Sequence, residues 1–173
     1  MENYNQIRNT LSKTLASSSK NKDSYVTTMF DFYRLPTDVP GAADVGKVND
    51  PYEKVVLIES AILKTENYDG NFFFSYVELH EFEAMPFSNL TKLKETYFEY
   101  DLTDLEECAK VQSNPELINN GEETAPSKRM IKCISCYDKA NVGVDVLKKI
   151  GIENIAEKCH HFSEWIRCIE DRL

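Results

Sequence analysis

Glycine and proline are scarce in this sequence, with six of each among 173 residues. This scarcity, together with a hydrophobic content of 42%, is typical of a globular chain and argues against disorder. No apolar run approaches the roughly 20 residues that a membrane-spanning helix needs. The opening residues, MENYNQIRNTLSK, contain no apolar segment of the kind found in a secretory signal. We therefore expect a cytoplasmic protein without membrane association, folded as one domain over residues 1–173.

Several motifs of common enzymes are also missing. The sequence contains no G-x-x-x-x-G-K-[ST], no G-x-G-x-x-G, no G-x-S-x-G and no H-E-x-x-H. Nucleotide hydrolysis by a P-loop and serine-hydrolase chemistry are therefore disfavoured. The five cysteines are an odd number in a chain without an export signal, which argues against a disulfide framework.

Acidic residues outnumber basic residues by 29 to 20, which gives a net charge of −9 and argues against a broad nucleic-acid-binding face. The charge is unevenly distributed. Residues 95–123 carry nine acids and one lysine, whereas residues 126–150 carry six basic residues and two acids. One surface would then repel phosphate while another attracts it. Two solvated helical faces explain the same pattern equally well.

Two segments are predicted to be buried strands. Residues 25–33, YVTTMFDFY, are rich in β-branched and aromatic residues. Residues 72–79, FFFSYVEL, lack the alternation of a half-exposed strand, which indicates a parallel sheet covered on both faces. Residues 50–64 between them have the pattern of a helix. Strand, helix and strand form the βαβ unit of a three-layer α/β fold.

Helix-starting residues divide the chain further. Asp50 is predicted to cap the helix between the strands, and Ser88 and Asp101 are predicted to cap two later helices. We expect a sheet part over residues 1–87 and a mostly helical part over residues 88–173. Two strands are too few for a sheet of independent stability, so this sheet is expected to be incomplete.

Ionisable residues occur where both predicted strands end. Asp31 lies near the end of the first strand, and His80, Glu81 and Glu83 follow the second. Parallel α/β sheets bind ligands beyond the carboxyl ends of their strands, so these carboxylates are expected to converge. Oxygen-rich clusters suit Mg²⁺ or Mn²⁺, which promote phosphoryl transfer. The alternative is that Glu81 and Glu83 cap or salt-bridge the following helix and that His80 bonds to the backbone.

The segment APSKRM, residues 125–130, places Lys128 and Arg129 in the first turn of a predicted helix. Free N–H groups beside cations form an anion site, and two solvated surface charges are the alternative.

A lone C-x-x-C motif joins Cys133 and Cys136, and Cys159 and His160 would complete a set of four zinc ligands. A second such motif is missing, and Cys133 also fits the apolar side of a helix. The apolar interpretation is therefore favoured over zinc.

Five blocks occur in order between residues 26 and 166: VTTMFDFYRLPTDVPG, YVELHEFEAMPFS, PELINNGEETAPSKR, YDK and CHHFSEWI. They resemble blocks of the bacterial family called domain of unknown function 4276, and the resemblance spans nearly the whole chain. That family is regarded as TOPRIM-like, akin to the metal-dependent domain of topoisomerases, primases and overcoming-lysogenisation-defect nucleases. Its members often occur beside ATPases of mobile or phage-defence loci.

The resemblance implies a TOPRIM- or Rossmann-like parallel sheet with metal ligands at its edge. Asp31 matches the acidic strand-end position of the TOPRIM pattern, although the second acid of that pattern is replaced by Tyr33. Glu81 and Glu83, supported by His80, match the HEFEA block. These residues would bind Mg²⁺ or Mn²⁺ and carry the catalysis.

The resemblance also implies that Lys128, Arg129 and Lys139 contact phosphate. The front of the sequence departs from the family. Members usually open with a strand and a VEGxTE-like turn whose Glu acts as general acid or base, and MENYNQIRNTLSKTLASSSK provides neither. The sheet is therefore expected to be incomplete on its N-terminal side, and catalysis by this sequence alone is in question.

Three functional hypotheses follow. The first is metal-dependent, nuclease-type chemistry on nucleic-acid phosphodiesters by the intact protein. The second is a non-catalytic partner of an ATPase that uses the acidic surface of residues 95–123. The third is a structural module stabilised by zinc.

Overall fold

The computed structural model describes residues 3–20, 24–66, 72–79, 81–118, 121, 123–138 and 143–172. The chain divides into two compact units, residues 1–79 and residues 80–173. Where it is described, the first unit combines strands and helices, and the second contains helices without strands. The fold is therefore mixed α/β and mostly helical. A single domain that changes character after residue 87 stays a prediction.

The spacing of Ile7, Leu11 and Leu15 predicts a helix over residues 3–17, and the first unit begins with one. Its helices are α1 (Tyr4–Ser18), α2 (Ala42–Val45) and α3 (Pro51–Glu66). Leu11 and Leu15 form the buried side of α1. The predicted cap of α3 is confirmed, because Asp50 Oδ1 accepts hydrogen bonds from the backbone N–H groups of Tyr52 at 2.9 Å and Glu53 at 3.0 Å.

Short parallel pairs form two two-stranded sheets among the described residues of the first unit. The strands are β1 (Val26–Thr27), β2 (Phe30–Asp31), β3 (Phe73–Phe74) and β4 (Val77–Glu78). Strand β1 pairs with β3, and β2 pairs with β4, both in parallel. The predicted parallel pairing is confirmed. The prediction of two unbroken strands is wrong, because each is interrupted, and the first continues into a 3-10 helix at Phe32–Arg34.

The side chain of Thr28 causes the interruption. The N–H of Thr28 donates to the Phe74 carbonyl at 3.1 Å, and the N–H of Phe30 donates to the Tyr76 carbonyl at 3.2 Å, as in a regular ladder. The Tyr76 N–H instead donates to the hydroxyl oxygen of Thr28 at 3.0 Å. That hydroxyl donates to the Tyr76 carbonyl at 3.3 Å. A side chain thus takes the bond that a backbone carbonyl would accept in a continuous strand.

Helix α3 packs against β4 and completes its hydrogen bonding. The Val77 N–H donates to Glu59 Oε1 of α3 at 2.7 Å. Ile58 and Ile62 of α3 are buried together with Phe73 and Val77. Burial of consecutive residues in this strand segment fits the predicted covered strand. A three-layer TOPRIM- or Rossmann-like arrangement stays a prediction.

The second unit consists of short helices where it is described. In chain order they are a 3-10 helix at Phe82–Asn89, α4 (Leu90–Thr96), α5 (Thr103–Val111), a 3-10 helix at Pro115–Leu117, α6 (Pro126–Cys133), α7 (Val144–Ile150), α8 (Ile152–Lys158) and α9 (His160–Glu170). None of the described helices of the chain combines the length and apolar character that crossing a membrane requires.

The 3-10 helix at Phe82–Asn89 forms the centre of the second unit. It packs against α4, α6, α7 and α8. Ala84, Met85 and Phe87 of this helix are buried. Glu81 and Glu83 of the HEFEA block are therefore buried among the packed helices of this unit.

Two predicted caps in this unit have different outcomes. Ser88 does not cap α4, because the 3-10 helix extends through Asn89 and the side chain of Asn89 accepts the Lys92 N–H at 3.2 Å. Asp101 is predicted as the cap of α5, but the N-cap position is occupied by Leu102, and Asp101 binds Thr103, the first helical residue, from one position further back. Its Oδ1 accepts the hydroxyl of Thr103 at 2.6 Å and the N–H of Thr103 at 3.0 Å. These bonds hold the pKa of Asp101 below its usual value.

Candidate carboxylate sites

Two acidic residues are paired in register at the carboxyl ends of strands in the first unit. Asp31 is the last residue of β2 and is aligned with Glu78, the last residue of β4. Aligned residues of neighbouring strands project to the same face of a sheet. Asp31 is partly exposed, whereas Glu78 is only 1% exposed. One carboxylate of this pair is therefore accessible and the other is held inside the fold.

A tyrosine holds Glu78 in place. The hydroxyl of Tyr76, itself 1% exposed, donates to Glu78 Oε2 at 2.6 Å. Short bonds of this kind are typical of a hydroxyl that donates to an ionised carboxylate. A buried carboxylate is strongly destabilising unless it is paired or hydrogen-bonded, so the Tyr76 bond has a direct stabilising role.

Glu78 was missed by the sequence reasoning. The sequence pattern places Glu78 inside the strand segment FFFSYVEL and gives it no separate role. The available signal was an acidic residue inside an otherwise aromatic and aliphatic segment, where an isolated charge is unfavourable.

Glu81 belongs to the second unit and contacts the first turn of α6. It is 2% exposed, and both of its carboxylate oxygens accept hydrogen bonds from Ser127. The Ser127 N–H donates to Oε2 at 3.0 Å, and the Ser127 hydroxyl donates to Oε1 at 3.0 Å. The start of α6, predicted as a phosphate site, thus holds the protein's own anion. Glu81 acts as a helix cap here, and its metal role stays a prediction.

Glu83 is also buried in the second unit, at 2% exposure. The pKa of Tyr137 is raised, first by burial and then by the negative charge of Glu83, with smaller effects from Tyr97 and Glu81. The role of Glu83 as a metal ligand stays a prediction.

The predicted basic residues of α6 have different environments. Lys128 is exposed, and Arg129 is partly buried. The Nε of Arg129 donates to the Thr124 carbonyl at 2.7 Å. Arg129 also lines a cavity of about 510 Å³ whose other polar residues include Asp104 and Glu107. Phosphate binding by Lys128 and Arg129 stays a prediction, and the remaining predicted residues, His80 and Lys139, lie outside the described residues.

The candidate zinc ligands have separate local contacts. Cys136 is exposed and accepts a hydrogen bond from the Tyr100 hydroxyl at 3.1 Å. Cys133 is partly buried, and burial raises its pKa. Cys159 is buried just before α9. In the part of the chain that the structure describes, no group of three or more Cys, His, Asp or Glu residues is arranged to hold a metal.

Other buried glutamates have structural roles. Glu116, with no exposed surface, caps α9 by accepting the N–H of His161 at 3.1 Å and that of Phe162 at 2.8 Å. Glu66 accepts from the Tyr4 hydroxyl at 3.3 Å and from Arg8 Nε at 3.0 Å. Sequence reasoning missed both, because each contact joins residues more than 40 positions apart.

The glutamates that bind helix donors differ in solvent exposure from the acidic pair at the strand ends. Glu66, Glu81 and Glu116 are buried and occupied by donors from helices. The pair of Asp31 and Glu78 combines a fixed carboxylate with a partly exposed one at a strand end. Mg²⁺ is often bound through one or two carboxylates and completes its shell with water and substrate oxygens. In this pair, Asp31 is the strand-end carboxylate that solvent reaches.

Comparison with known proteins leads to one family. No curated protein and no solved structure matches the chain. A family model described as "Domain of unknown function (DUF4276)" matches residues 2–170. The match covers almost the entire sequence, including both units. The chain belongs to the DUF4276 family.

Proposed function

We propose that this chain provides a divalent-cation site for TOPRIM-like, nuclease-type chemistry on phosphodiesters. Asp31 and Glu78 are the proposed ligands, and Mg²⁺ or Mn²⁺ is the proposed ion. The observation that carries the proposal is the backbone register that pairs Asp31 with Glu78 at the carboxyl ends of β2 and β4. Ligands of parallel α/β sheets bind at this position.

The residues of the pair have distinct proposed roles. Asp31 is partly exposed, so an ion can reach it from solvent, and it is the proposed direct ligand. Glu78 is the second proposed ligand, and the 2.6 Å bond from the Tyr76 hydroxyl to Oε2 fixes its orientation. The bound ion would neutralise charge on the phosphate and activate a water molecule. The fixed orientation of Glu78 lowers the entropy lost when the ion binds.

The proposal also includes the other predicted residues. Glu83 remains a proposed metal ligand, and His80 remains a proposed supporting residue of it. Glu81 would have to release the N–H and hydroxyl of Ser127 before it could bind an ion. Lys128, Arg129 and Lys139 remain proposed phosphate contacts. A setting in a phage-defence or mobile-element system with an ATPase also belongs to the proposal.

The test combines ion binding with cleavage. Mn²⁺ titration by calorimetry would compare the wild-type chain with Asp31→Asn and Glu78→Gln. The matched control is Asp44→Asn, because Asp44 is an exposed acid of α2. Both site variants should weaken binding at least about tenfold, since each removes a charged ligand. The control should bind like the wild type, and equal binding by all four proteins would refute the proposed site.

Activity is tested on the same proteins with plasmid DNA and single-stranded RNA in Mg²⁺ or Mn²⁺. Cleavage by the wild-type chain that is lost in Asp31→Asn supports nuclease-type chemistry. Binding of Mn²⁺ at this pair without cleavage of either polymer would limit the site to a non-catalytic role. Cleavage that persists in Asp31→Asn would assign the activity to other residues or to a contaminant.

A second proposed function is partner binding by the acidic part of the second unit. Phe98 is 77% exposed and Val111 is 89% exposed, although both are apolar. Glu99 and Asp101 beside Phe98 are exposed as well. Contiguous apolar patches with a polar rim are typical of protein interaction surfaces, and we propose that Phe98 and Val111 belong to such a patch. The proposed partner is an ATPase encoded beside this chain.

Partner binding is tested with the purified neighbouring ATPase. Phe98→Ser and Val111→Ser should each weaken the complex, because both remove apolar contact area. Ile152→Ser is the control, since Ile152 is an exposed apolar residue of α8 with 47% exposure. Equal weakening by the control would show that the effect is not specific to the acidic surface, and no binding by the wild type would reject this function.

A further inference from the structure

The chain leaves β2 through a short turn that exposes a tyrosine and an arginine. The 3-10 helix at Phe32–Arg34 begins directly after Asp31, and a backbone hydrogen bond of 3.3 Å closes it. Tyr33 is 52% exposed, and Arg34 is exposed as well. Both side chains are therefore presented to solvent from a hydrogen-bonded turn beside the accessible carboxylate of the strand end.

Exposed apolar side chains also follow the strand that leads to Asp31. Tyr25 is 40% exposed and Met29 is 42% exposed, and burial alternates from residue to residue over residues 25–29. Successive side chains of a strand point to opposite faces, so Tyr25 and Met29 share a face with Asp31. A single exposed apolar residue needs no explanation, whereas several grouped on one surface indicate a binding site. Tyr33 continues this group past the strand end.

Arg34 differs from the other arginine of the first unit. Residues 1–79 contain two arginines, and Arg8 donates from Nε to Glu66 Oε1 at 3.0 Å. Arg34 instead ends the 3-10 helix, three positions after Asp31. A planar guanidinium binds phosphate through paired N–H donors. The turn therefore combines an exposed aromatic ring with a cation that suits phosphate.

We propose that Tyr33 and Arg34 bind single-stranded nucleic acid beside Asp31. This inference rests on the proposed function and names the substrate class of that site. A base stacks on the ring of Tyr33, and the guanidinium of Arg34 binds a phosphate of the same strand. Stacking on a side chain requires a base that is free of its neighbours, which a single strand offers and an intact duplex does not.

The acidity of the protein is compatible with this kind of binding. A net charge of −9 disfavours a surface that contacts many phosphates of a duplex. Stacking of a base on an aromatic ring does not depend on net charge, and it is tolerant of sequence because every base has a π-face. We therefore expect binding with little sequence preference and with the salt dependence of few phosphate contacts.

The test is fluorescence anisotropy of short labelled strands, oligo(dT) and oligo(U), titrated with the full chain in EDTA. The wild type should bind at least one of these strands more tightly than a duplex of the same length. Tyr33→Leu should weaken binding at least about fivefold, as loss of one stacked base does, whereas Tyr33→Trp should retain it. Arg34→Gln should reduce the slope of log K against log salt concentration by about 0.7, the value for one phosphate of a single strand.

The matched controls are Phe98→Leu and Arg167→Gln, because both residues are exposed in the second unit. Both variants should bind like the wild type. Equal binding by the wild type, Tyr33→Leu and Arg34→Gln would overturn the proposal. Tighter binding of the duplex, or no binding of either single strand by the wild type, would overturn it as well.

Failure of this inference is distinguishable from failure of the proposed cation site, because EDTA removes the ion. Asp31→Asn should bind the single strand in EDTA at least as tightly as the wild type, since it removes a negative charge and keeps Tyr33 and Arg34. A chain that binds the strand through these residues but binds no Mn²⁺ would reject the cation site alone. A chain that binds Mn²⁺ at Asp31 but binds no strand would reject this inference alone.

Discussion

Removal of the Glu81 carboxylate is expected to destabilise the protein even in the absence of metal. Its two bonds to Ser127 are each 3.0 Å long and are buried. Hydrogen bonds to charged groups contribute about 1.5–3 kcal/mol each. The positive end of α6 adds up to about 2 kcal/mol for an anion in a partly buried position.

Glu81→Gln keeps one acceptor but loses the charge and one good bond. We therefore expect it to lower the free energy of unfolding by about 2–4 kcal/mol. Ser127→Ala removes the hydroxyl bond but leaves the backbone N–H, so we expect a loss of about 1–2 kcal/mol. The double variant should lose about 1 kcal/mol less than the sum of the single variants, because both changes remove the same bond.

Urea denaturation followed by circular dichroism measures these values directly. The free energy of unfolding decreases by about 2 kcal/mol per M of urea in small proteins. Glu81→Gln should therefore lower the urea concentration at the unfolding midpoint by about 1–2 M. Glu99→Gln is the control, because Glu99 is an exposed acid of the same unit. Additive losses to within about 0.5 kcal/mol would refute the direct contact between Glu81 and Ser127. A metal-free Glu81→Gln protein as stable as the wild type would refute the capping role.

Three further predictions concern stability. Glu116→Gln should lower the free energy of unfolding by about 2–3 kcal/mol, because the N–H groups of His161 and Phe162 share its buried carboxylate; an unchanged urea midpoint would contradict this. Burial raises the pKa of Tyr97 from 10.0 to about 12. Between these values only the unfolded chain loses the proton, so the free energy of unfolding should be unchanged below pH 10 and should decrease as the pH rises to about 12. Between pH 10 and about 12, the melting temperature of Tyr97→Phe should decrease less with pH than that of the wild type. The same decrease in both proteins would count against the raised pKa. Asp50→Ala should cost about 1 kcal/mol through loss of the α3 cap, measured by the same urea titration, and no loss would show that water replaces the cap.

Local patterns were sufficient to predict several elements of this fold. The cap at Asp50 followed from its position before Pro51, and the helix near the N-terminus followed from the spacing of Leu11 and Leu15. The apolar run at residues 72–79 indicated a buried parallel strand, and the backbone pairing confirms it. These features depend on neighbours in the sequence, which is why periodicity and capping rules could identify them.

The carboxylate contacts depend instead on residues far apart. Glu81 meets Ser127 across 46 positions, and no local rule indicates which helix it caps. The hydroxyl of Thr28 interrupts a strand only because Tyr76 lies opposite to it. Glu78 was hidden inside a strand pattern, although its register with Asp31 forms the pair on which the proposed function rests. The sequence therefore indicated acidic strand ends but selected only one of the two residues that the structure aligns.

The most direct test of the central claim is a crystal of the protein soaked in MnCl₂ and measured at a wavelength where manganese scatters anomalously. We predict an anomalous peak bound by the carboxylates of Asp31 and Glu78, lost in crystals of Asp31→Asn. A fully soaked wild-type crystal with no peak at these two residues would contradict the proposed cation site.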